Sequence, residues 1–111
     1  MKTICEYLEE DRIKWADMPY IYVKKDGVFK SRSFSEVIGD VRHLAAYLAA
    51  EGLKNGNIML YSSNSYEWMA IGLCVMGYIG TLVPIDSHCT AFDIENAASS
   101  IDIDAFFYER S

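Results

Sequence analysis

Residues 57–86 read NIMLYSSNSYEWMAIGLCVMGYIGTLVPID, and this stretch decides the fold. Ile58-Met59-Leu60-Tyr61 is a short apolar run between polar turns, the pattern of a buried strand. Ser62-Ser63-Asn64-Ser65 is a hydroxyl-rich loop, and Ser65 stands three residues before Trp68, at helix-cap spacing. Residues 66–78 are apolar almost all round, which predicts a helix buried on more than one side. Gly80 punctuates the chain, and Leu82-Val83-Pro84-Ile85 follows as another short strand. Such strands, apolar on both faces and separated by helices, imply a parallel sheet covered on both sides.

The same stretch raises a membrane question. Residues 68–85 carry no charge and approach the roughly 20 residues that span a bilayer. Gly72, Gly77, Gly80 and Pro84 interrupt them, Thr81-Leu82-Val83 favours a strand, and no basic cluster flanks them. The reading is a buried helix, a glycine turn and a buried strand, with no transmembrane segment.

Working outward, Ser33 and Glu36 have capping-box spacing and open a helix. Phe34, Val37, Ile38, Val41, Leu44, Ala45 and Leu48 share one face by threes and fours. Gly52 suits its C-terminal stop, and Lys54-Asn55-Gly56-Asn57 is a polar turn. Before it, Tyr20-Ile21-Tyr22-Val23 and Val28-Phe29-Lys30-Ser31-Arg32 read as strands joined by Lys25-Asp26-Gly27, a hairpin turn. Thr3 and Glu6 open a first helix with Ile4, Leu8, Ile13 and Trp15 as its apolar side, ended by Met18-Pro19. Beyond Asp86 come a polar loop over 86–90, a helix over 91–100 with Phe92, Ile94, Ala97 and Ala98, and a strand over 104–108. The expected fold is α/β: three layers, a mostly parallel sheet with helices on both faces, and an N-terminal β-hairpin. Residues 1–111 form one unit with no internal boundary, repeat or linker.

Composition bounds the rest. The chain has 111 residues, 51% of them apolar and 14% aromatic, with only 7 Gly and 2 Pro. Disorder and Pro-rich linkers are excluded on those figures. Sixteen acids against ten bases give a net charge of -6, which repels phosphate backbones and argues against nucleic acid as a partner. Cys5, Cys74 and Cys89 are odd in number and widely spaced, with no CxxC pair. They make no disulfide framework, and together with acids soon after the N-terminus they point to a reducing cytoplasm.

No constellation carries chemistry unaided. GxGxxG and the Walker loop are absent. Residues 62–65 sit between strand and helix, where backbone N–H groups can hold an anion, but a hydroxyl cap explains them as well. Asp86-Ser87-His88-Cys89 contains a nucleophile, a base and an acid. Adjacent residues diverge, however, and working triads come from distant segments, so an incidental polar loop is the reading. A small α/β enzyme built on Asp86, His88 and Cys89 is the competing one, testable by alkylating Cys89. With His43 the only other histidine, four metal ligands are hard to assemble. His43 itself reads as a helix-surface residue and Cys74 as a small hydrophobe. Catalytic, cofactor-binding and metal residues are therefore all expected to be none.

The order of motifs resembles the N-terminal segment of the adenylate-forming, AMP-dependent synthetases. The matching residues are Phe34-Ser35-Glu36-Val37, Leu44-Ala45-Ala46-Tyr47-Leu48, Gly52-Leu53-Lys54-Asn55-Gly56, Asn64-Ser65-Tyr66-Glu67-Trp68 and Val83-Pro84-Ile85-Asp86. The tryptophan after Glu67 is most similar to the long-chain fatty acid–CoA ligases. Asn57 stands where the family has Asp, and Thr81 where it has Ala; neither position is catalytic there. The resemblance implies a parent that uses ATP and magnesium to form an acyl adenylate and then a thioester of coenzyme A. The family's phosphate loop with its lysine, its Tyr-Gly-x-Thr-Glu element, its ribose-binding aspartate and its C-terminal lysine have no counterpart in these residues. The chain is expected to be an N-terminal fragment, catalytically incomplete and binding no cofactor itself. Its implied partner is the remainder of the ligase, or another chain docked on an exposed sheet edge, with self-association as one outcome. The alternative is a self-standing binding module that keeps only the scaffold.

Overall fold

The computed structural model describes residues 3–61, 65–85 and 88–108. Local chemistry starts each helix. Thr3 caps α1 (Ile4–Lys14), its hydroxyl accepting from the Glu6 N–H at 3.1 Å. Ser33 and Glu36 close a full capping box on α2 (Phe34–Ala50). Gly52 ends α2 at φ 82°. Its N–H reaches the Ala49 carbonyl at 3.0 Å and the Leu53 N–H reaches that of Leu48 at 3.1 Å. That bond pair satisfies carbonyls the helix end leaves open. Between these helices, β1 (Pro19–Lys25) and β2 (Val28–Ser33) form an antiparallel hairpin. Asp26 at φ 53° and Gly27 at φ 79° make its turn, as Asp-Gly predicts.

The main sheet has three strands in the order β4-β3-β5: β3 (Asn57–Tyr61), β4 (Thr81–Ile85) and β5 (Ala105–Tyr108). Both pairings are parallel, with Ile58 beside Leu82 and Ala105. The chain leaves β3 through α3 (Tyr66–Cys74) to one neighbour. It then crosses through α4 (Ala91–Ser100) to the other. With right-handed crossovers, that reversal of direction sets α3 and α4 on opposite faces of the sheet. The expected α/β architecture with an N-terminal hairpin is the one observed.

The core lies where α2, α3 and β3 meet. Val41, Ala45, Leu48, Ile58, Ala70, Cys74, Val75 and Ile79 form one buried cluster. All seven residues of the expected α2 stripe are buried or half-buried. At the lower end of the sheet, Asn57 donates from its backbone to Asp104 Oδ2 and from its side chain to the Asp102 carbonyl, both at 2.8 Å. An aspartate at position 57 would have no side-chain donor for that carbonyl.

Three expectations need correction. The helix expected over 66–78 is α-helical only to Cys74; Val75–Ile79 is a π-helical turn, closed by the Gly80 N–H on the Val75 carbonyl at 2.9 Å. A sequence apolar all round has no period from which to read such a change of pitch. Of the apolar side expected on α1, only Leu8 is buried, while Ile13 is 72% exposed, because α1 packs on α2 and the π turn around Leu8 and leaves its C-terminal end in solvent. A Cβ on Gly77 would lie 3.0 Å from Leu8 Cδ1. Finally, β3 is buried on both faces, but β4 and β5 are not: Pro84, Phe106 and Tyr108 are exposed. Among the described residues those outer strands have a strand neighbour on one side only.

Candidate functional site

A cleft of about 280 Å³ opens at the carboxyl ends of β3 and β5, beside the start of α3. In open parallel sheets this is where ligands are usually held. Leu60, Trp68, Ile71, Phe107 and Tyr108 give it apolar walls, and Ser65 and Glu67 its polar rim. The Ser65 hydroxyl is committed to capping α3, accepting from the Trp68 N–H at 3.1 Å. The anion loop weighed over 62–65 otherwise lies outside the described residues. Glu67 is the charged side chain of this lining. A magnesium–triphosphate group needs cationic donors around it, so the residues lining this cleft do not by themselves fit ATP.

Two polar junctions brace the surroundings. Tyr66 donates its hydroxyl to Asp40 Oδ2 at 2.7 Å, and the Arg32 guanidinium lies 4.3 Å from its ring centroid. This joins the hairpin, α2 and α3. Burial, and then the bond to Asp40, push the Tyr66 phenol well above its ordinary pKa. On the far side of α2, Glu9 accepts from the Tyr78 hydroxyl at 2.6 Å and faces Arg42 Nε at 3.3 Å and Arg12 at 3.4 Å. The Tyr78 bond, with the two arginines, holds the Glu9 carboxyl below the usual carboxylate range despite some burial. Tyr78 is correspondingly raised, first by burial and then by Glu9. Sequence reading missed both junctions. Their signal was present: a tyrosine in a buried helix needs a partner for its hydroxyl.

Among the described residues the other candidates form no reaction centre. Asp86 and Ser87 lie outside the described residues, His88 is exposed and Cys89 is half-buried. His43 is exposed on α2. Burial pushes the Cys74 thiol up to about 11, which keeps it a neutral packing group, as read from the sequence. Among the described residues no three His, Cys, Asp or Glu side chains are grouped to hold a metal. Nor, among them, does any buried side-chain polar atom lack a hydrogen-bond partner.

Comparison with known proteins then supplies what the cleft does not. The sequence profile of a family described as AMP-binding enzyme matches residues 9–111. Among solved structures, Klebsiella oxytoca NpsA in complex with 3-hydroxyanthranilyl-AMSN superposes with a TM-score of 0.86 at 16% identity, over 99% of this chain and 22% of that one. The NpsA N-terminal subdomain alone gives 0.86 at 16% identity, over 99% of this chain and 28% of that one. The fatty acid AMP ligase from Legionella pneumophila gives 0.84 at 13% identity, over 96% and 19%. At these identities the likeness is one of fold. This chain spans between 19% and 28% of the length of those three structures. No curated protein matches it.

Proposed function

We infer that this chain, which belongs to the AMP-binding enzyme family, is the N-terminal subdomain of a ligase that activates a fatty acid with ATP and passes the acyl group to coenzyme A. The observation that carries this reading is the ordered motif run over residues 33–86, within the family match over residues 9–111. Supporting the acyl-chain assignment are Trp68 directly after Glu67 and the shared fold of a fatty acid AMP ligase. In the proposed reaction a carboxylate oxygen attacks the α-phosphorus of ATP and pyrophosphate leaves. The thiol of coenzyme A then attacks the acyl carbon and AMP leaves. When bound by the parent, magnesium would neutralise charge on the phosphates. This chain supplies scaffold to that reaction, and its cleft lacks the cations to perform it. Cytoplasm is the proposed compartment. Among the described residues no helix is long and apolar enough to cross a membrane.

Two measurements test the reading. The reading frame past the Ser111 codon should continue into a Ser/Thr/Gly-rich loop followed by lysine; an immediate stop would count against it. The encoded parent should then exchange pyrophosphate into ATP with fatty acids. Exchange with aryl or amino acids alone would keep the family and remove the acyl substrate.

The second reading is a binding module. It is favoured by one observation: β4 and β5 each pair only with β3, so each leaves an edge open among the described residues. Open edges accept a further strand. Light scattering at high concentration should reveal self-association, and a strictly monomeric profile would argue against it.

A further inference from the structure

The far half of the hairpin takes no part in the contacts described above. Residues 24–31 are all exposed. Tyr22 stands opposite Ser31 and Lys24 opposite Phe29, which sets Tyr22 and Phe29 diagonally on one face of the ribbon. Their exposures are 63% and 65%, and Val28, just past the turn, is 56% exposed. Lys24 Nζ sits 5.6 Å from the Phe29 ring centroid. The hairpin holds Lys24, Lys25, Lys30 and Arg32, four of the ten cationic residues of the chain, against one of its sixteen acids, Asp26. A basic, aromatic projection therefore stands on an acidic body.

We infer that the hairpin tip, with Lys24, Lys25, Val28, Phe29 and Lys30, is a docking surface for an anionic lipid bilayer.

Charge complementarity sets the sign of the partner. Shape and composition set its class. A specific protein interface covers about 800 Å² a side and is depleted in lysine. The tip is only two strands wide, Lys24 and Lys25 also border a groove beside the start of α3, and lysine is its commonest residue. A lipid interface suits the two-strand width and the lysines. Aromatic rings settle at the headgroup level, and lysine stems lie along apolar surface with their ammonium groups among the phosphates. Nucleic acid rewards the same lysines through its phosphates but offers Val28 no apolar medium to enter. The acidic remainder of the chain is repelled by the bilayer, which turns the hairpin toward it. Screening limits that repulsion to about 10 Å at moderate salt. This is attachment to a surface and not a span. It is independent of the proposed ligase reaction.

The test is flotation of the whole chain with phosphatidylcholine vesicles, with and without phosphatidylserine. The chain should float with the phosphatidylserine vesicles only, and rising salt should release it. Lys24→Gln and Lys25→Gln should each weaken binding about fivefold, the effect of one basic residue near an anionic surface. Val28→Ser with Phe29→Ser should abolish flotation. All these side chains are exposed, and circular dichroism will verify that the fold is kept. Failure of the unmodified chain to float overturns the inference. So does flotation that the Val28/Phe29 double variant leaves unchanged. Binding of an oligonucleotide or of polyglutamate through the same lysines, without vesicle binding, also overturns it, in favour of nucleic acid or an acidic protein.

Discussion

Helices α2 and α4 begin alike and end differently. In α2 the Ser33–Glu36 bonds are 3.1 and 3.2 Å, and in α4 the Thr90–Asp93 bonds are 3.2 and 3.1 Å. Yet α2 buries Val37, Ile38, Val41, Ala45 and Leu48, whereas α4 buries no residue and leaves Phe92 70% exposed. A cap is decided by four consecutive residues. Burial needs a second surface, and α2 has four: α1, α3, the π turn and the hairpin. The sequence can start a helix by itself, but it cannot supply a helix with something to lean on.

The largest expected break in that comparison is a cavity. Ile38 is fully buried, so Ile38→Ala should cost about 2–5 kcal/mol in urea denaturation. Phe92→Ala, the matching truncation on α4, should change the same midpoint by less than about 0.5 kcal/mol. Equal losses would mean that α4 is as well packed as α2.

Glycine substitutions sharpen the contrast with opposite signs. A Cβ on Gly80 would meet the Gly56 carbonyl oxygen at 2.4 Å, whereas one on Gly39, inside α2, meets nothing within 4 Å. Gly80 has φ near 180°, so the obstacle is space and not backbone conformation. Gly80→Ala should destabilise by about 1–3 kcal/mol through forced backbone movement. Gly39→Ala should stabilise by about 0.5–1 kcal/mol, since glycine is the weaker helix former. Thermal melts of the two variants should move in opposite directions.

Removing the caps asks how far each is coupled to the whole. Ser33→Ala should lower global stability by about 1 kcal/mol. Thr90→Ala should leave the global midpoint in place and speed amide exchange within α4 alone, as expected of an element that opens locally. Exchange that also quickened in β3 would show α4 to be coupled to the core.

The smallest expected effect is the pH dependence of the Glu9 junction. The folded-state pKa of Glu9 is lowered, chiefly by the Tyr78 hydroxyl. Its contribution is therefore complete above the ordinary carboxylate range and is lost as pH falls through the depressed value. Tyr78 and Tyr66 are raised, so their contribution holds below about pH 10 and is lost as pH rises beyond it. Stability should fall at both ends, and Glu9→Gln should flatten the acid limb in denaturation midpoints followed against pH. Because Glu9 is one-third exposed, the acid limb should be shallow.

Much of the architecture was legible, for reasons that particular residues make plain. Ser33 and Glu36, Asp26-Gly27, Gly52 and the α2 stripe each act within a few positions, so their patterns survive in the sequence. The π turn at 75–79 was not legible, because Cys74-Val75-Met76-Gly77-Tyr78-Ile79 reads the same at either pitch. His43 and Cys74 stand where their surroundings suggested. That Tyr66 and Tyr78 would need partners was legible, but not that Asp40 and Glu9, 26 and 69 residues away in the chain, would be those partners.

The sequence by itself determined where each helix starts, where the hairpin turns and which strands are sticky, since those are contests between neighbouring groups. It also determined the family resemblance, which lies in the order of short motifs. Tertiary packing alone set the strand order β4-β3-β5, the seat of α1 on α2 and the π turn, and the isolation of α4. It also decided that the basic residues of the hairpin would stand together in solvent. These depend on which surfaces meet across long stretches of chain, and a meeting of that kind leaves no mark on the residues in between.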